Sequence, residues 1–156
     1  MLVREVMTAT VHSCNLNDSV NRAAQLMWEH DFGCVPVTNG AGTVVGMVTD
    51  RDITMAAYFR GLKLQEIPVA EVMSTTTYGC EPGTSLEQAI ATMRYVKIRR
   101  LPVLDPAGKL SGIVTFSDIV RACAAADVRK RPALCEKELA GLVSALSHRP
   151  RVASVP

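Results

Sequence analysis

Displaced by 66 positions, the 156-residue sequence matches itself without a gap: residues 3–60 and 69–126 share 19 identities in 58 pairs. Val6-Met7 falls on Val72-Met73, Cys14 on Cys80, Ala23 on Ala89 and Met27 on Met93. Farther on, Pro36-Val37 falls on Pro102-Val103, Gly46 on Gly112, Val48-Thr49 on Val114-Thr115, and Asp52-Ile53 on Asp118-Ile119. Unrelated segments do not match over such a length by chance. The chain is therefore read as a tandem duplication, with one repeat over 1–62, a second over 63–126 and an appendix over 127–156. A unit of about 60 residues is marginal alone. The two repeats are expected to pack sheet to sheet as one pseudo-two-fold unit.

Each copy carries the same succession of signals. An extended piece (Ala9 to Cys14; Thr75 to Cys80) leads to a helix start, capped by Asp18 in the first copy and by a Thr84/Glu87 capping box in the second. Val20, Ala23, Ala24 and Met27, like Leu86, Ala89, Ile90 and Met93, recur at helical spacing. Two strand-like runs follow, Cys34 to Thr38 and Val44 to Thr49, joined by Asn39-Gly40-Ala41-Gly42. The second copy has Leu101 to Leu104 and Leu110 to Thr115 around Asp105-Pro106-Ala107-Gly108. A last helix begins near Asp52 or Asp118. The order β-α-β-β-α, twice, predicts a mixed α/β fold of the α+β kind. Aromatics are only 4% of the residues, so aliphatic side chains and Met27, Met55 and Met93 are expected to fill the core. Trp28 is expected in the core or at an interface.

Several classes of protein are excluded. Arg4 and Glu5 interrupt the start and no apolar run follows, so no secretory signal is read. The longest uncharged run, Phe32 to Thr49, contains Pro36 and four glycines, which suits strands and a turn rather than a membrane helix. Five scattered cysteines (Cys14, Cys34, Cys80, Cys123, Cys135) form no Cys-x-x-Cys and no Cys/His cluster, which predicts reduced thiols, no metal site and a cytoplasmic protein. No nucleophile–base arrangement and no phosphate-cradling glycine loop can be placed. Neither enzyme activity nor a catalytic cofactor is expected.

The chemistry concentrates where the last strand of each copy ends. Thr49-Asp50-Arg51-Asp52 and Thr115-Phe116-Ser117-Asp118 each put a hydroxyl at a strand end and a carboxylate three residues later, at a helix start. Two roles fit that spacing. Thr and Asp can simply cap the helix, or the carboxylate can accept hydrogen bonds from vicinal ribose hydroxyls while helix amides attract phosphate. His12 and His30 fit either a phosphate contact or an ordinary surface position. Arg51 fits either a phosphate or Asp50, and Arg99 either solvent or the steering of anions.

The duplicated pattern Val35-Pro36-Val37, Leu101-Pro102-Val103, Gly46, Gly112, Thr49-x-x-Asp52 and Thr115-x-x-Asp118 resembles a tandem pair of CBS domains, the Bateman module of adenosine-ligand sensors. The resemblance covers roughly residues 1–126. It implies two equivalent clefts between the repeats, with the motif Asp on the ribose and adenine between apolar side chains. The first cleft would use Thr49, Arg51 and Asp52, with Val11, His12, Phe32, Cys34 and Met47 around the base and Arg100 reaching across to phosphate. The second would use Thr115, Ser117 and Asp118 with Tyr78, Ile98 and Ile113. The position reaching back into the second cleft is Cys34, which carries no charge, so the first cleft ranks ahead.

The implied function is regulatory. An adenine nucleotide (AMP, ADP or ATP), NAD or S-adenosylmethionine would bind between the repeats, and with no output domain fused the signal would pass to a partner protein. A homodimer is the family's usual state. In the appendix, Leu139, Leu142, Val143 and Leu146 follow helical spacing and predict an amphipathic helix. Residues 129–156 hold six Lys/Arg against Glu136 and Glu138, within a chain of net charge +2. That segment, from Arg129-Lys130-Arg131 onward, keeps open an alternative in which the protein associates with nucleic acid, and a structural dimer without a ligand is a third.

Overall fold

The computed structural model describes residues 1–125 and the helix at 133–147. The basic cluster Arg129-Lys130-Arg131 and the arginines 149 and 151 lie outside the described residues. The elements run β1 (Cys14–Asn15), α1 (Val20–His30), β2 (Cys34–Thr38), β3 (Val44–Thr49) and α2 (Asp50–Arg60). They continue with α3 (Leu86–Val96), β4 (Arg100–Leu104), β5 (Leu110–Thr115), α4 (Phe116–Ala125) and α5 (Ala133–Ser147). Short 3-10 turns at Val3–Glu5 and Val69–Glu71 open the two copies.

Two compact units divide the chain. Unit 1 gathers Met1–Ala9, Tyr78–Val103 and Gly112 onward, and unit 2 gathers Thr10–Thr77 with the hairpin tip Leu104–Ser111. Each has its own core. In unit 2, Val20, Ala23 and Leu26 of α1 pack with Val35, Val37, Val48, Ile53, Ile67 and Val69. In unit 1, Leu86, Ala89, Ile90 and Met93 of α3 pack with Val3, Leu101, Val103, Val114, Ile119 and Leu142.

The short segment that opens each repeat is built into the unit holding the other repeat's helices. In unit 1, Val3 N–H donates to Thr84 O, and Thr8 and Ile113 exchange amide bonds of 2.9 and 3.0 Å. In unit 2, Val20 N–H donates to Ile67 O, and Ser74 and Met47 exchange bonds of 2.8 and 3.1 Å. This arrangement accounts for Gly46 and Gly112. A Cβ on Gly46 would stand 2.5 Å from Met73 Sδ and 2.9 Å from Ser74 O. One on Gly112 would stand 2.7 Å from Met7 Sδ and 3.1 Å from Thr8 O. Glycine lets the opening segment lie directly on the strand.

In unit 2, β1 runs parallel to β2 (Cys14 opposite Val37) and β2 runs antiparallel to β3, with Cys34 opposite Thr49 and Val35 opposite Val48. Asn39 Oδ1 accepts from the amides of Ala41 and Thr43, which closes the expected turn. The first strands are shorter than their sequence suggests. Only Cys14–Asn15 pairs regularly, and Cys80 makes a single bridge to Val103.

Two helix starts move by one residue from their expected caps. Ser85, not Thr84, caps α3, sharing a capping box with Gln88, while Thr84 accepts from Glu81 N–H. Ser19 precedes α1 without a side-chain bond, and Asp18 accepts from Asn15 N–H instead. In the appendix helix Leu142 is fully buried and Leu139 and Leu146 partly so, but Val143 is exposed. Met27 and Met93 are buried as expected, whereas Met55 faces outward. Trp28 is 89% exposed and belongs to no core.

Candidate functional site

The two Thr-x-x-Asp motifs adopt one geometry twice. In unit 2, Thr49 ends β3 and caps α2. Its N–H and Oγ1–H donate to Asp52 Oδ2 at 2.9 and 2.7 Å, and Asp52 N–H returns a bond to Thr49 Oγ1 at 3.2 Å. In unit 1 the same three bonds join Thr115 and Asp118 at 2.8, 2.6 and 3.2 Å. The next turn of structure repeats as well. Asp50 N–H donates to Gly33 O and Phe116 N–H to Arg99 O, tying each helix start to the residue that leads into the central strand. The capping role is therefore real at both motifs. It occupies only Oδ2 of each carboxylate, so capping and ligand binding are compatible.

The other oxygen distinguishes the motifs. Asp52 is half-buried, and no described residue donates to its Oδ1. Asp118 is 7% exposed and its Oδ1 receives a charge-assisted bond from the Arg121 guanidinium. Helical i,i+3 spacing puts Arg121 on the face of Asp118. The first repeat has Met55 at that position.

Unit 2 also assembles three rings. His12 and His30 stack face to face with centroids 3.6 Å apart, and Phe32 lies 6.3 Å from the first and 5.8 Å from the second. His12 and Phe32 are thus brought together as expected, and His30 joins them. Its place was not fixed by sequence because a histidine closing a helix carries no periodic signal. Phe32 reaches the group through a left-handed residue, Asp31 at φ 54°, after which Phe32 N–H closes back on Met27 O. Val11 and Met47 are half-buried in this unit, Cys34 is buried at the start of β2, and Arg51 is exposed one residue before Asp52. The backbone N–H of Arg51 donates to Asp50 Oδ1 at 2.7 Å.

Unit 1 carries no such ring cluster among the described residues at the equivalent positions. Tyr78 is exposed, Ile98 and Ile113 are half-buried, and Ser117 is exposed beside Asp118. Lys97 at φ 56° repeats the turn made by Asp31 and delivers Ile98. Arg100 opens β4.

The thiols mirror one another too. Burial, reinforced by the Asp18 charge, pushes Cys14 from an ordinary 9.0 to about 11, and burial does the same to Cys80. Both stay protonated near neutrality and are poor nucleophiles. Among the described residues no group of three or more His, Cys, Asp or Glu side chains is placed to hold a metal ion. No helix among them is long and apolar enough to cross a membrane.

Comparison with known proteins finds both sequence relatives and similar folds. The CBS domain-containing protein YhcV of Bacillus subtilis is 40% identical over 117 residues, 75% of this chain and 81% of the relative. A structure of Hypoxic Response Protein I with two coordinated zinc ions is 31% identical, with a TM-score of 0.71, covering 78% of this chain and 98% of that one. A structure of CBSX2 in complex with AMP is 30% identical, with a TM-score of 0.68, covering 79% of this chain and 96% of that one. The CBS domain model itself matches residues 3–58 and 69–125. Matched twice, over the two repeats that carry the Thr–Asp geometry, the chain belongs to the CBS domain family as a tandem pair.

Proposed function

We propose that the protein is a regulatory module that takes an adenosine-containing ligand, AMP in the first instance, at Thr49 and Asp52. The observation that carries this reading is the half-buried Asp52 carboxylate. Its Oδ2 is used by the helix cap, and its Oδ1 has no donor among the described residues. Vicinal ribose hydroxyls are the donors that suit it. The helix start behind it favours anionic groups, and the rings of His12, His30 and Phe32 offer apolar, stackable surface to a base. The AMP complex of CBSX2 supports the same ligand class. Val11, Cys34, Met47 and Arg51 complete this set, and Tyr78, Ile98, Ile113, Thr115, Ser117 and Asp118 form the second.

The module works in the cytoplasm as a homodimer and signals to a partner protein. A ligand shifts its conformation only by binding two states unequally. Exposed Trp28, Tyr58 and Phe59 on the unit 2 helices offer apolar surface for self-association.

Calorimetry and thermal shift with AMP, ADP, ATP, NAD and S-adenosylmethionine test the reading. AMP is expected to raise the melting temperature by mass action. Asp52→Asn is expected to abolish that rise while keeping the helix cap and the circular dichroism spectrum. Arg100→Ala in the same titration tests the phosphate role expected of that residue. Silence across all five compounds overturns the proposal.

A further inference from the structure

We propose that Arg121 holds the second motif closed, so that the two repeats are unequal by design and one ligand binds first. The inference rests on the nucleotide reading above and adds the residue that discriminates between its two sites. Thr115 fills Oδ2 of Asp118 with two donors, and the Arg121 guanidinium fills Oδ1. Only 7% of Asp118 is exposed, so no second open edge remains for a pair of ribose hydroxyls. A ligand at this motif has to displace a charge-assisted bond first.

The first motif lacks the latch. Met55, at the position equivalent to Arg121, has no donor. Arg51 cannot substitute, because a residue one before Asp52 projects about 100° round the helix rather than over it. Arg121 is 75% exposed on its side chain, so it is free to swing into solvent when displaced. It acts through Asp118 and is a positioning residue. Solvent screening of so exposed a cation keeps the barrier modest, about tenfold in affinity.

The test is calorimetric titration with AMP of the full chain and of Arg121→Met, Arg121→Lys, Met55→Arg, Asp52→Asn and Asp118→Asn. Wild type is expected to show one tight event, lost in Asp52→Asn. Arg121→Met, which installs the first repeat's residue at an exposed position, is expected to add or tighten a second event about tenfold, lost again with Asp118→Asn. Arg121→Lys, which keeps charge without the planar fork, falls between. Met55→Arg is expected to weaken the first event. If wild type binds through Asp52 and Arg121→Met changes neither stoichiometry nor affinity, the latch is overturned while the nucleotide reading stands. If neither wild type nor Arg121→Met binds AMP, both fall together.

Discussion

Trp28 of α1 and Arg94 of α3 occupy the same position in the two repeats and stand in opposite surroundings. Arg94 lies under α5, paired with Glu138 at 3.2 Å and with its guanidinium 3.1 Å from where a Cβ on Gly141 would be. Trp28 projects into solvent, as do Tyr58 and Phe59 on α2. Beneath these faces the two units are built alike, down to hydrogen-bond lengths that agree within 0.1 Å at the Thr–Asp motifs. Duplication has preserved what the backbone requires: the glycine under each opening segment, the capped helix start and the buried strands. It has let the helix exteriors and the second carboxylate oxygen diverge. Asymmetry therefore sits where a partner or a ligand would meet it.

Removing the cover from one unit should break the comparison most. Leu142 is fully buried while its neighbour Val143 is 48% exposed. Leu142→Ala is expected to destabilise by about 2–5 kcal/mol and Val143→Ala by less than about 0.5 kcal/mol, read as shifts of the urea midpoint. Equal effects would show that α5 does not cover α3 in solution.

The two raised thiols, Cys14 buried and Cys80 half-buried, sharpen the likeness instead. Cys14 and Cys80 are both raised from 9.0 to about 11 in the folded chain. The folded state thus holds these protons more tightly than the unfolded one. The associated stability is complete below pH 9 and is lost as pH rises toward 11, at up to about 2–3 kcal/mol per thiol. Cys14→Ala and Cys80→Ala should each flatten the fall in urea midpoint between pH 8.5 and 11, and by similar amounts.

Smaller effects rank the units against each other. Gly46→Ala places a methyl closer to its neighbours than Gly112→Ala does, with Ser74 O at 2.9 Å against Thr8 O at 3.1 Å. Both are expected to destabilise, by about 1–3 kcal/mol, with Gly46→Ala the worse. At the least sensitive end, Asp31 and Lys97 hold left-handed backbone at φ 54° and 56°. Glycine at either should stabilise by about 0.5 kcal/mol, relief of strain slightly exceeding the added entropy of the unfolded chain. Thermal melts of both variants measure it.

Much of this was legible because it is local. Cys34–Thr38, Val44–Thr49 and Leu110–Thr115 emerge with the expected bounds, since β-branched runs bracketed by Asn, Gly and Pro leave little choice. The caps were legible to within one residue. Thr84 and Ser85 both carry hydroxyls, and only the backbone decides which of them meets the free amides. The crossing of Val3 and Val69 into the other repeat's unit was not legible, because pairings so far apart in sequence leave no periodic trace. At the site, the Thr–Asp spacing was readable as a cap or a ribose contact, and the structure shows that capping leaves one oxygen over. Arg121 was not singled out. Its significance depends on which carboxylate oxygen is already taken, and spacing alone does not carry that.

The interleaved opening segments also set an order of assembly. Unit 2 can gather most of its core once residue 77 has been made, whereas Val3 must wait for Thr84 and its neighbours before it has anywhere to bind. Closing so long a loop is slow compared with local helix and hairpin formation. On a translating ribosome Val3 thus emerges long before its partners and is placed late, and protease cleavage at Arg4 should persist in stalled chains long after Arg22 has become protected. A repeat whose opening segment is seated late stays open to exchange with a second copy for as long as that segment is unseated, which ties the timing of synthesis to the choice between folding alone and folding together.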